Sequence, residues 1–153
     1  AADRPPHVPD CAEGPTAPPA AVISGAPILD LRGKGGARAV RDFLGGTEAE
    51  VPETYRSASP LLHVSPAAPP FLFIVGGGDW FVGDEDSERM RAALRSVGVQ
   101  AELLRVTGTG HITGPGVGTS EKSPEAWLAI VDFLERTMGR PRGAPAGSRP
   151  PRS

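Results

Sequence analysis

Five bulky apolar residues, Phe71-Leu72-Phe73-Ile74-Val75, run without alternation between Pro69-Pro70 and Gly76-Gly77-Gly78. An unbroken run of this length suits a parallel strand covered on both faces, and the prolines and glycines fix its ends. Two weaker runs flank it. Ala20-Ala21-Val22-Ile23-Ser24, closed by Gly25, reads as a buried strand, with Pro27 to Leu31 as a strand exit leading into a glycine-rich turn. Ala101 to Val106 alternates imperfectly and carries Glu102 and Arg105, as expected nearer a sheet edge. Between the strands the apolar period changes to that of a helix. Ala37, Val40 and Leu44 share a helical face that stops at Gly45-Gly46, and Pro52 to Ser57 adds a helical turn before an irregular lead from Ser59 to Pro70. Asp84-Glu85-Asp86-Ser87 offers helix caps, after which Met90, Ala93, Leu94 and Val97 form a stripe ended by Gly98. Ser123 as N-cap and Pro124 at the first helical position open a last helix, with Trp127, Ile130, Val131 and Leu134 as its buried stripe and Gly139 as its stop.

Strand, helix, strand, helix, strand, helix is the order of an α/β domain with a parallel sheet. With only three strands in 153 residues, the sheet reads as part of a larger one, since the apolar strand at Ala20 to Ser24 would be left at an edge. Residues 1–19 and 139–153 are rich in proline and poor in apolar side chains, and are expected to be a linker or loop and a disordered tail around a domain at 20–138. A net charge of −2 without a run of lysine or arginine argues against nucleic acid or an anionic membrane as partner and leaves a small molecule. Cys11 is the sole cysteine, so neither an internal disulfide nor a cysteine metal knuckle can form. No apolar stretch reaches the roughly 18 residues of a membrane span and Ala1 to Pro5 has no signal-peptide character, so a cytoplasmic location is expected. No cofactor is expected, and assembly into a homo-oligomer is left open.

The chemistry concentrates after two of the strands. Glycines just beyond the central strand let the backbone turn sharply and would place Asp79 at the carboxyl edge of the sheet, where open α/β folds hold their sites. His111, in Gly108-Thr109-Gly110-His111, follows the next strand. An aspartate after glycines is commonly a turn or cap residue, and a histidine in a glycine-rich loop is commonly solvated; the pairing of the two is what points to catalysis. Gly76-Gly77-Gly78 is no phosphate loop, because no Lys-Ser/Thr follows and Phe81 stands where the third glycine of G-x-G-x-x-G belongs. The Asp84, Glu85, Asp86 cluster lacks Ca²⁺-loop spacing and reads as a helix start. Trp80 and Phe81, beside Asp79, are candidates to line an acyl pocket, whereas His7 and His63 read as surface residues.

These residues resemble a known family. Ser57-Ala58-Ser59-Pro60, Pro69-Pro70 with Phe71 to Gly76, Asp79 and Val82, Gly98-Val99 and Gly108-Thr109-Gly110-His111 look like the C-terminal half of an α/β-hydrolase. The likeness is to carboxylesterases of the hormone-sensitive-lipase and feruloyl/acetylxylan-esterase-like group, and covers roughly Ala20 to Met138. That group carries His-Gly-x-x-Asp-x-x-Val-Pro around the acid; here Val75 replaces the histidine and Gly83 the proline. The resemblance implies a Ser-His-Asp triad acting on a small-molecule ester, with Asp79 orienting His111. No G-x-S-x-G occurs, and Val22-Ile23-Ser24-Gly25-Ala26 lacks its first glycine, so the resemblance implies a serine and an oxyanion loop upstream of these residues. An amidase or peptidase of the same fold is an alternative that these residues do not decide, and a hydrolase-like binding protein without a nucleophile is a third reading, favoured by the missing serine and opposed by the presence of both Asp79 and His111.

Overall fold

The computed structural model describes residues 18–80, 82–107, 110–111 and 124–139. Its elements run β1 (Val22–Gly25), α1 (Arg38–Leu44), α2 (Pro52–Ser57), a 3₁₀ turn (Pro60–His63), β2 (Phe71–Gly76), α3 (Glu85–Ser96), β3 (Ala101–Val106) and α4 (Pro124–Met138). The three strands form one parallel sheet in the order β1-β2-β3. Phe71 pairs with Val22 on one side and Ala101 on the other, and Gly76 reaches Val106 at the sheet's carboxyl end. The expected parallel sheet flanked by helices is therefore present, with the apolar run in the middle. The stretches expected to be a linker at 1–19 and a tail at 139–153 lie almost wholly outside the described residues, as do Ser123 and most of the loop around His111.

β2 is buried from Leu72 onward because both its faces are covered. Phe73 packs with Met90, Leu94, Val99 and Ala101 beneath α3, while Leu72 and Ile74 meet Val106, Ala126 and Phe133 beneath α4. A third cluster, Leu31, Val40, Leu44 and Tyr55, joins α1 and α2 to the segment after β1. The α3 stripe falls where its spacing predicts, and Gly98 closes that helix with a φ of +83°, a left-handed conformation that glycine adopts at little cost.

Two expectations are corrected. The first strand begins at Val22 instead of Ala20 and is half-buried, with Ile23 38% exposed, because among the described residues it pairs with β2 alone. On α4 the buried line is Ala126 and Phe133, with Ile130 and Leu134 packed beside them, and Trp127 is 40% exposed. The helix is rolled relative to its apolar stripe. Phe133 fills the space over Leu72 and Ile74, and Arg136 reaches Glu102 of β3 through two hydrogen bonds of 2.8 and 3.0 Å, which fixes the roll.

The segment between β1 and α1 is held by polar groups that its sequence does not advertise. Asp30 is buried, and its carboxylate accepts from Arg32 Nε and Nη2, both at 2.9 Å, and from Arg89 Nη2 at 3.1 Å. Asp86 in turn accepts from the backbone N–H groups of Leu29 and Asp30 at 3.2 and 3.3 Å, so the first turn of α3 is sewn to this segment. Ser59 Oγ accepts the N–H of Leu31 and donates to the carbonyl of Tyr55. Hydrogen bonding from the Arg32 side chain, opposed by burial and reinforced by Arg89, holds the Asp30 carboxyl down at about 2.

A carboxyl lowered on folding stabilises the fold above its unfolded pKa of about 3.9, and that contribution disappears as pH falls through about 2. Asp30→Asn is expected to cost about 2 kcal/mol at neutral pH. In urea titrations of the chain, the gap between the wild type and this variant should close between pH 4 and pH 2. A gap that stays constant across that range would show that Asp30 acts through shape and not charge.

Candidate active site

The ends of β2 and β3 lie side by side, so the loops that leave them start as neighbours. Gly77 continues the ladder one step past β2, donating its N–H to the carbonyl of Val106 at 2.9 Å. A Cβ on Gly77 would stand 3.3 Å from that same carbonyl oxygen, a close approach that favours glycine there. The chain then folds back, with the N–H of Asp79 on the carbonyl of Gly76 at 3.2 Å, and the Asp79 side chain turns inward to 1% exposure.

Buried carboxylates need hydrogen-bond donors, and both oxygens of Asp79 have one. Oδ1 accepts from the backbone N–H of Val82 at 2.9 Å. Oδ2 stands 2.7 Å from Nδ1 of His111. Two residues 32 apart in sequence are thus joined across the carboxyl edge of the sheet. An ionised carboxylate can only accept, so the geometry assigns the proton of the neutral ring to Nδ1 and the lone pair to Nε2. The imidazole is 25% exposed, partly open to a reactant while its partner is shielded.

Of the other residues singled out from sequence, Trp80 is 87% exposed, and Phe81 lies outside the described residues. Ser24 sits within β1, paired with Phe73, and not on a strand-to-helix turn. His63 is exposed at the end of the 3₁₀ turn and is bound through Nε2 to the carbonyl of Ser57 at 2.9 Å. No group of three metal-ligating side chains occurs among the described residues, and no helix among them is long and apolar enough to cross a membrane. The sequence reading missed the N–H of Val82 as the second donor to Asp79. The three-residue spacing of an aspartate and a following loop N–H, a familiar turn arrangement, is the signal that could have found it.

The acids ahead of α3 also behave differently from expectation. Asp84 is the N-cap residue but makes no side-chain cap; its carboxylate accepts from Arg105 Nε. Glu88 accepts from Nη2 of the same guanidinium and pairs with Arg91 at 2.6 Å. The negative charges still face the positive end of the helix dipole, but their hydrogen bonds go to arginine and to the segment after β1.

Comparison with known proteins bears on the family and the fold. Residues 17–141 match the model of the prolyl oligopeptidase family. Esterase LipC of Mycobacterium tuberculosis is 42% identical over 64 residues, which make up 39% of this chain and 15% of that protein. Among solved structures, puromycin hydrolase superposes with a TM-score of 0.64 at 29% identity, over 82% of this chain and 20% of that one. An esterase from Thermogutta terrifontis gives 0.59 at 23% identity, over 80% and 45% respectively, a likeness of fold. The chain spans less than half the length of each of these relatives. With its parallel sheet and with the family model matched over residues 17–141, the chain has the α/β-hydrolase fold and belongs to the prolyl oligopeptidase family of hydrolases.

Proposed function

We propose that the complete protein is a serine hydrolase of carboxylic esters in which this chain supplies the acid and the base of the triad. The observation that carries the reading is the hydrogen bond of 2.7 Å between the buried Asp79 carboxylate and His111 Nδ1. In this reading a serine elsewhere in the complete protein attacks the ester carbonyl as Nε2 of His111 takes its proton. Asp79 stabilises the imidazolium, which then hands the proton to the leaving alkoxide. Water repeats the sequence: its oxygen attacks the acyl carbonyl as Nε2 takes its proton, the acyl–serine bond breaks to release the carboxylic acid, and the proton returns to the serine oxygen. Trp80, exposed and adjacent to Asp79, together with Phe81, is assigned to contact with the substrate. The esterases among the structural neighbours and the identity to Esterase LipC favour an ester over other acyl compounds. A second reading, cleavage of an amide or peptide, is favoured by the match to the prolyl oligopeptidase family and by the likeness to puromycin hydrolase.

The Val82 hydrogen bond makes the role of Asp79 testable at one atom. In Asp79→Asn the amide oxygen is held by the N–H of Val82, which turns the NH₂ toward His111 Nδ1. The ring must then carry its proton on Nε2 and can no longer accept one there. ¹⁵N chemical shifts are expected to show the Nδ1–H tautomer in the wild type and the Nε2–H tautomer in the variant. Turnover of the complete protein should fall by about 10⁴-fold. The same tautomer in both proteins would contradict this role for Asp79.

The reaction class is read from His111→Ala in the complete protein, assayed on p-nitrophenyl butyrate and on the matching p-nitroanilide with a fluorophosphonate probe alongside. Loss of turnover by about 10³-fold or more, with the ester preferred before mutation, is the expected result. Preference for the anilide would select the amide reading. Absence of probe labelling and of turnover in the wild type would mean a hydrolase-like protein that does no chemistry.

A further inference from the structure

The loop that carries Asp79 is attached at both of its ends to the last two residues of β3. At its start, the N–H of Gly77 donates to the carbonyl of Val106 at 2.9 Å. At its finish, the Asp84 carboxylate accepts from Arg105 Nε, and the same guanidinium holds Glu88 through Nη2. Between these anchors, Asp79 accepts from the N–H of Val82 and meets His111, which follows Val106 by only five residues. The strand that delivers the base thus grips the loop that delivers the acid.

We propose that Arg105 is a positioning residue for the Asp79–His111 pair, fixing the separation of the two loops; this rests on the reading of that pair as the acid and base of a hydrolase. Three features of the structure point this way. Arg105 stands in a strand whose neighbours Leu103, Leu104 and Val106 are apolar, and its fork is directed to two carboxylates four residues apart on the adjoining helix. A planar guanidinium holds such a pair in one orientation, which a lysine cannot. Asp84 occupies the N-cap of α3 yet makes no cap with its side chain, so the helix forgoes a local hydrogen bond for this contact. Removal of Arg105 would leave Asp84, Glu85, Asp86 and Glu88 crowded in one helical turn with one fewer cation, and their repulsion would act where the acid loop joins the helix. Arg105 is 46% exposed, so its contribution to overall stability is small. Its effect lies in geometry.

The test uses the complete protein, with Arg105→Gln, Arg105→Lys, Asp84→Asn and His111→Ala compared on p-nitrophenyl butyrate. Arg105→Gln is expected to lower kcat about fivefold to tenfold and to leave KM within about twofold. Arg105→Lys should fall between it and the wild type. Asp84→Asn should lower kcat in the same direction, and the double variant with Arg105→Gln should be no worse than the more impaired single variant. The low-field proton resonance of His111 Nδ1–H should weaken or move upfield in Arg105→Gln while the melting temperature changes little. Unchanged kcat and an unchanged resonance in Arg105→Gln, with His111→Ala inactive, would overturn the proposal and leave the triad reading standing. Retained turnover in His111→Ala would remove the triad reading itself. Should Arg105→Gln fail to fold, the lysine and Asp84→Asn variants decide the matter by the same two readouts.

Discussion

The structure depends on answering the charge of one carboxylate held away from water. Asp79 has 1% of its side chain exposed, and an unpaired anion there would cost far more than a small domain can spare. Its two oxygens are satisfied by a backbone N–H from its own loop and by the ring of His111. Neither donor is available unless the sheet is built first. The N–H of Val82 is in place only if the loop folds back over Gly76, and His111 arrives only if β3 lies next to β2 in the observed register. The parallel pairing of β2 and β3 is therefore a condition of the Asp79–His111 contact as well as of the core.

That pairing is in turn secured from both faces. Phe73 under α3 and Leu72 and Ile74 under α4 bury the middle strand, while polar contacts fix how the helices sit. Arg136 to Glu102 sets the roll of α4, and Asp86 to the backbone of Leu29 and Asp30 sets the start of α3. Apolar burial supplies most of the driving force but is tolerant of small slides. The directional contacts select one arrangement among those that would bury similar area.

Much of this was legible from residue order alone. The central strand, β3 and α3 were readable because periodicity and flanking glycine and proline agree, and the pairing of Asp79 with His111 followed from their shared place after adjacent strands. Trp127 was misplaced because an apolar arc on a helix gives a face, not a roll, and the roll was set by Arg136 and Phe133. β1 was read as buried on its apolar letters, although the same reading left it at an edge of a three-stranded sheet, where pairing with β2 covers one side. The carboxylates of Asp84 and Asp86 were read as caps, since that is what their local position offers, whereas their partners Arg105, Leu29 and Asp30 are distant in sequence. Long-range polar contacts are the part of a fold that local pattern says least about.

A surface arginine is an unpromising place to look for catalytic influence if influence is measured as stability. Exposed ion pairs contribute between nothing and about 1 kcal/mol, and are weakened by salt. Catalysis responds to a different quantity. A misplacement of about 1 Å at reacting groups can cost about 100-fold in rate while scarcely changing the free energy of folding. The proposed acid and base stand on two loops, and loops are the segments that drift when their ends are loose. A hydrogen bond from Gly77 fixes one end of the acid loop, and only the contacts of Arg105 join its other end to β3 among the hydrogen bonds described. A pair of anchors defines the direction of the loop where a single anchor defines only its origin, and direction is what the proposed line from Asp79 through His111 to a serine requires.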